Sequence, residues 1–287
     1  MISLYPIIML NVFGALEVLF PILLLYFLYR YKTYKFSSII CGLALYFIIA
    51  YMISNNVFTI IRVIAGEMYF IDHPMIGVLI DTAITALAMS PLFYLIMSKV
   101  RRGKWNLYDA VAMGIGYWMV PQFLDGALAV STASILQQAK KGNLESLVNE
   151  TYTIELLEAL VKSMTESSHL VLTLERLSTC FVQLILLLVI IAVSVTVYYV
   201  VKRNRGKMVL LIMAVSFVVI LIMNGSSVLF SDWKSLIPIV IVGIATIYYL
   251  IRFYRFYRSQ QMELLRKRKE FKEERHRKYL EEHPDKE

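Results

Sequence analysis

The residues of this chain that could carry chemistry are charged side chains inside long apolar runs. Glu175 and Arg176 are neighbours, about two helical turns inside an apolar run that extends from 168 to 201. A charge near the centre of a membrane-spanning helix costs about 2.5–3.5 kcal/mol on insertion scales. The pair therefore predicts a helix whose two charges are satisfied by partners inside a helix bundle.

Other polar side chains in the apolar runs are placed to share a layer with this pair. Glu17 lies near the middle of its run. Asp81 and Asp125 lie, like Glu175, about six residues from one boundary, which is roughly 9 Å along a helix. Because buried charges are stable only when paired, we predict at least one arginine–carboxylate bridge in this layer. The predicted polar cluster contains Glu17, Arg62, Asp81, Asp125, Glu175, Arg176 and Gln183.

Three roles for this cluster are open from the sequence. It could consist of ion pairs that join helices, of a polar substrate site, or of two carboxyl groups that activate water. In the last case Glu175 is the candidate catalytic residue. His73 and His169 lie at the ends of apolar runs, no histidine stands beside a carboxylate within a run, and no metal-binding motif is present. We therefore predict neither a metal nor another cofactor.

The composition indicates a membrane protein. The 287 residues are 59% hydrophobic and only 17% charged, whereas soluble domains contain about 25% charged residues. The net charge of +8 comes from short basic clusters between apolar runs and from the C-terminal tail. This placement is typical of cytoplasmic loops, and the acids interleaved in the tail argue against nucleic-acid binding.

Hydropathy and loop charge predict an all-α bundle of about seven membrane-spanning helices. The loops at 30–35, 99–104 and 202–207 and the tail after 252 are basic, whereas the alternate loops are acidic. The positive-inside rule then predicts an outside N-terminus and an inside C-terminus. The predicted spans are 4–29, 36–64, 75–98, 107–132, 168–201, 208–230 and 235–254.

The predicted domains are a transmembrane domain over 1–255 and a charged cytoplasmic helix over 256–287. Inside the first, the external loop 137–167 contains apolar residues spaced for a short amphipathic helix that begins after Thr153. Arginines alternate with aromatics where the last span leaves the bilayer, which suits anionic lipid headgroups. The composition is compatible with a bacterial plasma membrane protein.

Three stretches resemble the YhfC-like membrane proteins, which are grouped with the PrsW-like and APH-1-like glutamic intramembrane proteases. SPLFYLIMSKVRRGKWNLYDAV resembles the helix with that family's paired glutamates and the basic loop after it. AMGIGYWMVPQ resembles its glycine-rich stretch, and LERLSTCFVQ resembles its Glu-Arg helix. The resemblance covers most of the seven spans and implies an intramembrane-protease fold.

The chain departs from the family's motifs at most of the expected catalytic positions. The resemblance aligns the paired glutamates with Met89 and Ser90, a histidine and a glutamate with Tyr117 and Pro121, and a second histidine with Gln183. From the family's motif residues, only Glu175 and Arg176 are retained.

Three functions follow as hypotheses. The first is a catalytically degenerate protein of this fold that binds a transmembrane helix or a hydrophobic peptide. The second is an active glutamic-type endopeptidase, which requires a second carboxylate within reach of the water that Glu175 would activate. The third is a transporter or its accessory subunit, which would show an inverted repeat and a polar path.

Overall fold

The chain is helical throughout the part that the structure describes. The computed structural model describes residues 3–31, 34–65, 69, 72–100, 104–148, 153–229 and 232–282. The α-helices are α1 (Leu4–Tyr31), α2 (Phe36–Phe47), α3 (Asn55–Ala65), α4 (Pro74–Lys99), α5 (Leu107–Lys140), α6 (Ile154–Glu166), α7 (His169–Lys202), α8 (Met208–Leu229) and α9 (Leu236–Glu282). A π-helix (Ile48–Ser54) joins α2 to α3, and short 3₁₀ turns occupy Leu144–Leu147 and Asp232–Ser235.

Seven of these segments are long and apolar enough to cross a membrane, which confirms the predicted bundle. Among the described residues they are Leu4–Arg30, Phe36–Ala65, Pro74–Lys99, Leu107–Lys140, His169–Lys202, Met208–Ser226 and Leu236–Arg275. The end of the sixth predicted span at 230 and the last residues of the predicted tail, 283–287, lie outside the described residues. The orientation of the termini stays a prediction.

Helix α5 is the central element because its glycines allow three other helices to approach its backbone. A Cβ on Gly116 would lie 2.6 Å from the Ile39 carbonyl oxygen, and one on Gly42 would lie 2.1 Å from that of Met113, so α2 and α5 are in backbone contact. Gly14 and Gly126 make the equivalent contact between α1 and α5. Small residues permit this proximity in membranes, where packing replaces the hydrophobic effect.

The buried Asp109 fixes the start of α5 against the start of α2. Its Oδ1 accepts hydrogen bonds from the Lys35 backbone N–H at 2.7 Å and from the Ser38 hydroxyl at 2.9 Å. Its Oδ2 accepts from the Asn106 N–H at 3.0 Å, while the Asn106 side chain accepts from the Asp109 N–H, which completes a capping box. We call Lys35, Ser38, Gly42, Asp109 and Gly116 the α2–α5 seam.

Helix α6 lies in the segment that the sequence assigned to a short amphipathic helix. The Thr153 hydroxyl accepts a hydrogen bond from the Leu156 N–H at 3.3 Å and caps the helix. Leu157 is buried, and Val161 and Met164 pack against a cluster of residues from α1, α5 and α7. The apolar face of α6 therefore closes one end of the three-helix core.

The chain divides into two compact units, Met1–Gly243 and Ile244–Glu287. The second unit is helical over its described residues. Its side chains form exposed ion pairs one helical turn apart, such as Arg266–Glu270 at 2.8 Å and Lys267–Glu263 at 2.7 Å. Exposed pairs of this type contribute about 0.3–0.5 kcal/mol each, so they favour a solvated helix without fixing a tertiary position.

Candidate functional site

Glu17 on α1 is a buried carboxylate with few partners. Its side chain is 6% exposed. The Cys180 thiol on α7 donates to Oε1 at 3.9 Å, and Oε2 has no hydrogen-bond partner among the described residues. The charged groups that act on it electrostatically are Asp125 on α5 and Arg176 on α7. Three helices thus supply the surroundings of one carboxylate.

Asp125 is joined to α7 through an amide. The Gln183 amide Nε2 donates to Asp125 Oδ2 at 3.2 Å, and Arg176 also acts electrostatically on this carboxylate. Within the described part of the chain, the amide oxygen of Gln183 and the amide nitrogen of the buried Gln122 have no hydrogen-bond partner. We call Glu17, Gln122, Asp125, Arg176, Cys180 and Gln183 the polar layer.

The neighbours Glu175 and Arg176 have different surroundings. Glu175 is exposed and is not among the groups that act on Glu17 or Asp125, whereas Arg176 is half-buried and acts on both. Consecutive helical residues differ by about 100° around the axis, so the two side chains cannot point into one site. The structure brings Arg176 into the polar layer and leaves Glu175 on the outer surface of α7.

The predicted arginine–carboxylate bridge within the membrane layer is wrong for this structure. The ion pairs within 4.0 Å that the structure shows among its described residues lie on α6 and in the C-terminal helix, with Lys162–Glu166 at 3.8 Å as the example on α6. In the polar layer an amide and a thiol contact the carboxylates instead. Neutral donors at hydrogen-bonding distance replace the expected guanidinium contact.

Asp81 and Arg62 lie outside the polar layer. The Ser54 hydroxyl donates to Asp81 Oδ1 at 2.8 Å, and the Arg62 guanidinium lies 4.6 Å from the centre of the Phe58 ring. Tyr46 interacts electrostatically with both Asp81 and Asp125, but Asp81 is hydrogen-bonded to the π-helix and not to a group of the polar layer. The single layer that the sequence predicted is therefore divided in two.

The positions that the sequence resemblance aligns with the family's motif residues lie mostly in the buried core of the bundle. Met89 and Ser90 on α4 are fully buried, and the Ser90 hydroxyl lies 3.5 Å from that of Ser216 on α8. The Tyr117 ring packs against Tyr46, with ring centroids 5.4 Å apart. Only Gln183 of these substituted positions contributes to the polar layer.

Cys180 and Gln122 were not predicted as site residues. A helical pattern could have indicated the first, because Arg176, Cys180 and Gln183 have the i, i+4, i+7 spacing of one helix face. In the same way Gln122 and Asp125 are three residues apart on α5. The thiol belongs to no motif of its own, so no other pattern in the sequence selects it.

One comparison with known proteins gives a match. A family model described as YhfC intramembrane metalloprotease matches residues 16–246, which include five complete spans and parts of the first and the seventh. No curated protein matches the chain. No solved structure matches it either.

The residues present do not fit the metal that this description implies. A catalytic zinc site takes three protein ligands from histidine, cysteine and carboxylate side chains. The described residues contain no group of three such side chains placed to hold a metal ion. In the polar layer, amides and an arginine stand beside the two carboxylates and the thiol.

Proposed function

The chain belongs to the YhfC intramembrane metalloprotease family, and from this premise we propose that it is a catalytically degenerate member that binds a transmembrane helix or hydrophobic peptide. The observation that carries the proposal is the burial of residues at the positions that the sequence resemblance aligns with the family's motifs. Met89, Ser90 and Tyr117 are core residues, while carboxylates and amides remain buried between α1, α5 and α7. Among the residues that the structure describes, this polar interior contains no group of three side chains placed to hold a metal ion.

A groove between α1 and α5 has the shape and chemistry to receive a helix. It has a volume of about 640 Å³ and is lined by Gly14, Ala15, Val18, Leu19, Gly126, Ala127, Val130 and Ser131. The exposed small residues Ala15, Ala127 and Ser131 allow the backbone of another helix to approach closely, as at typical helix-association sites in membranes. The lining is almost entirely apolar, which suits a lipid-embedded peptide.

The polar layer adjoins this groove along both helices. Glu17 lies between groove residues of α1, and Asp125 directly precedes Gly126 on α5. The unpartnered oxygen of Glu17 and amide nitrogen of Gln122 are suited to the N–H and C=O groups of a locally unwound peptide. Unsatisfied polar groups cost several kcal/mol in the bilayer core, so pairing them would favour a bound peptide over lipid.

The proposal also includes the membrane in which the protein lies and the orientation of its C-terminal helix. The apolar helices require a lipid bilayer, and we place them in a bacterial plasma membrane with the C-terminus inside. The basic and aromatic residues at the start of the C-terminal segment, including Arg252 beside Tyr248, would contact anionic headgroups. The charged C-terminal helix would then act as a separate cytoplasmic domain.

Site-specific photocrosslinking tests the helix-binding proposal. A benzoylphenylalanine at Leu19 or Val130, both exposed in the groove, should give covalent adducts with membrane-embedded peptides in native membranes. The matched control is the same probe at Leu210, which is exposed on α8. Adducts of equal yield and identity at all three positions would refute a specific groove.

A second candidate is an active endopeptidase that uses Glu17 and Asp125. The observation that favours it is the close approach of α1 and α5 at these carboxyl groups: a Cβ on Gly126, the residue after Asp125, would lie 3.4 Å from the Cβ of Glu17. One ionised carboxylate could accept a proton from water while a protonated partner donates to the leaving amine. In this second candidate, Glu17 and Asp125 take the role that the sequence analysis assigned to Glu175 with a second carboxylate, because Glu175 is exposed on α7.

Membrane peptidomics separates the two candidates. Intact cells are compared with a deletion strain and with strains that carry Glu17→Gln, Asp125→Asn or Glu175→Gln. Transmembrane fragments that disappear on deletion and in the first two variants would indicate proteolysis by Glu17 and Asp125. Fragments that disappear only on deletion would support a binding role in cleavage by another protease.

A further inference from the structure

A second polar site lies between the π-helix and α4, apart from the polar layer. An open cavity of about 400 Å³ is lined by Tyr46, Tyr51, Ser54, Asn55, Phe58 and Asp81, with one alanine. Pockets for small ligands usually begin at about 300 Å³. The cavity therefore has room for a small organic group, and neither the family's motif positions nor the α1–α5 groove contributes to its lining.

The π-helix creates the face that lines this cavity. The Asn55 N–H donates to the carbonyl of Ala50, five residues earlier, instead of four. Residues five apart, such as Tyr46 and Tyr51, therefore come to one side. The Asn56 amide donates to the Met52 carbonyl at 2.8 Å and stabilises the end of this irregular turn. Such π-turns are rare and are frequently found at functional sites.

Asp81 gives the cavity a negative charge that the described residues do not neutralise. The Ser54 hydroxyl donates to Oδ1 at 2.8 Å, and no ion pair within 4.0 Å joins Asp81 to a described cation. The residue lies about 10 Å from the start of α4 at a rise of ~1.5 Å per residue. A carboxylate at this depth is costly without a cation.

Aromatic rings line the same cavity as the Asp81 carboxylate and favour a positively charged ligand. Tyr46, Tyr51 and Phe58 contribute rings to the lining, and a cation over such a ring is attracted by its quadrupole. The Arg62 guanidinium already lies 4.6 Å from the Phe58 ring centre. This contact shows that one of the lining rings already interacts with a cation.

We propose that this cavity binds the ammonium group of an organic cation, with Asp81 as counter-ion and Tyr46, Tyr51 and Phe58 as the aromatic walls. An anion would be repelled by Asp81. A bare metal ion would find a single carboxylate, since the described residues contain no three-ligand group. A substituted ammonium ion satisfies both features because it combines a charge for the carboxylate with alkyl groups for the rings.

The test measures binding of two ammonium probes to the purified full-length protein in uncharged detergent micelles. Tetraethylammonium represents a cation from water, and dodecyltrimethylammonium represents one from the lipid phase. Both are titrated against the intact protein, Asp81→Asn and the matched control Asp72→Asn, which removes an exposed carboxylate just before the same helix. Dodecanol, the uncharged analogue, should not compete.

We expect saturable binding that Asp81→Asn weakens about tenfold or more and that Asp72→Asn leaves unchanged. Tyr51→Leu should weaken it about threefold to tenfold and serves as the test if Asp81→Asn does not fold. Arg62→Gln should tighten binding by about threefold, because it removes the positive charge that already lies over the Phe58 ring.

The two probes identify the source of the ligand. Binding of tetraethylammonium alone, or of both probes, supports a site that water-soluble cations reach. Binding of dodecyltrimethylammonium alone supports a site filled from the lipid phase. Absence of saturable binding to the intact protein, or equal affinity of the intact protein, Asp81→Asn and Tyr51→Leu, would overturn the proposal. The α1–α5 groove takes no part in this test, so its outcome is independent of the helix-binding proposal.

Discussion

The α2–α5 seam and the polar layer each contain a buried carboxylate, but the two carboxylates differ in the hydrogen bonds that they accept. Asp109 is fully buried and accepts hydrogen bonds from two backbone N–H groups and a hydroxyl. Glu17 is almost as buried, yet a thiol at 3.9 Å is its contact and one oxygen has no partner among the described residues. The two carboxylates are buried to a similar extent, but only Asp109 accepts hydrogen bonds on both of its oxygens.

This difference separates a structural carboxylate from a candidate functional one. A fully hydrogen-bonded buried charge rigidifies its surroundings, and removing it leaves several buried donors without partners. A buried charge with too few donors costs stability in the free protein, and such groups are concentrated at functional sites. The seam should therefore govern folding, and the polar layer should govern binding.

The largest effect is expected from Asp109→Ala. The substitution leaves the N–H groups of Lys35 and Asn106 and the Ser38 hydroxyl without their acceptor, at a cost of about 3 kcal/mol or more. We expect little folded protein in the membrane and a strongly lowered Tm in detergent. Asp72→Ala removes an exposed carboxylate and is the control. A normal Tm for Asp109→Ala would show that the seam does not hold the bundle together.

The next effect is expected from Gly116→Ala. Its new Cβ would lie 2.6 Å from the Ile39 carbonyl oxygen, so α2 and α5 must separate, at a cost of about 1–3 kcal/mol. Gly225→Ala is the matched control, because there the nearest atom is the terminal methyl of Met75 at 3.5 Å. Thermal unfolding of both variants in the same detergent measures the difference. Equal losses of Tm would contradict backbone contact at the seam.

A smaller effect on stability, with a large effect on binding, is expected from Glu17→Gln. The change removes a buried charge that has few donors, so we expect the free energy of unfolding to stay within about 1 kcal/mol of the original or to rise. Crosslinking from the α1–α5 groove should fall. Asp109→Asn is the comparison, since the same chemical change there should destabilise. If Glu17→Gln lowered the free energy of unfolding more than Asp109→Asn did, Glu17 would be the structural carboxylate and Asp109 the functional candidate.

The smallest effect is expected at Glu155, in the first turn of α6. Its own backbone N–H and the Thr153 hydroxyl donate to its carboxylate and lower its pKa below the ordinary 4.5. A lowered pKa in the folded protein stabilises α6 above pH 4.5, and this contribution is lost as the pH falls through the folded pKa. The protection of α6 amides against exchange, relative to their intrinsic rates, should therefore decrease as the pH falls from 4.5 through the lowered pKa of Glu155. Glu155→Gln should show no such step.

The sequence was sufficient to place the helices but not to assign the polar residues to sites. Apolar runs of about 20 residues leave few alternatives to a spanning helix, so the seven spans could be drawn within a few residues except at the C-terminal ends of the fourth and seventh. Asp109 was missed because a carboxylate beside a basic loop is ordinary in a sequence. Only its contacts with Lys35 and Ser38, more than seventy residues away in the chain, show its role.

The division of the predicted charged layer was likewise beyond the sequence. Depth along a helix follows from residue number, but the neighbour that a side chain meets depends on the order and rotation of the helices.

The amino-acid sequence alone predicts a seven-span helical bundle, and the family match places the chain in the YhfC family. The packing of the helices brings Arg176 within electrostatic range of Glu17 and Asp125, leaves Glu175 exposed, and places Asp81 in the lining of another cavity. The sequence could not predict these contacts because hydropathy indicates the burial and depth of each helix separately. Contacts between helices are set by close packing at particular glycines and by single hydrogen bonds, which no periodicity encodes.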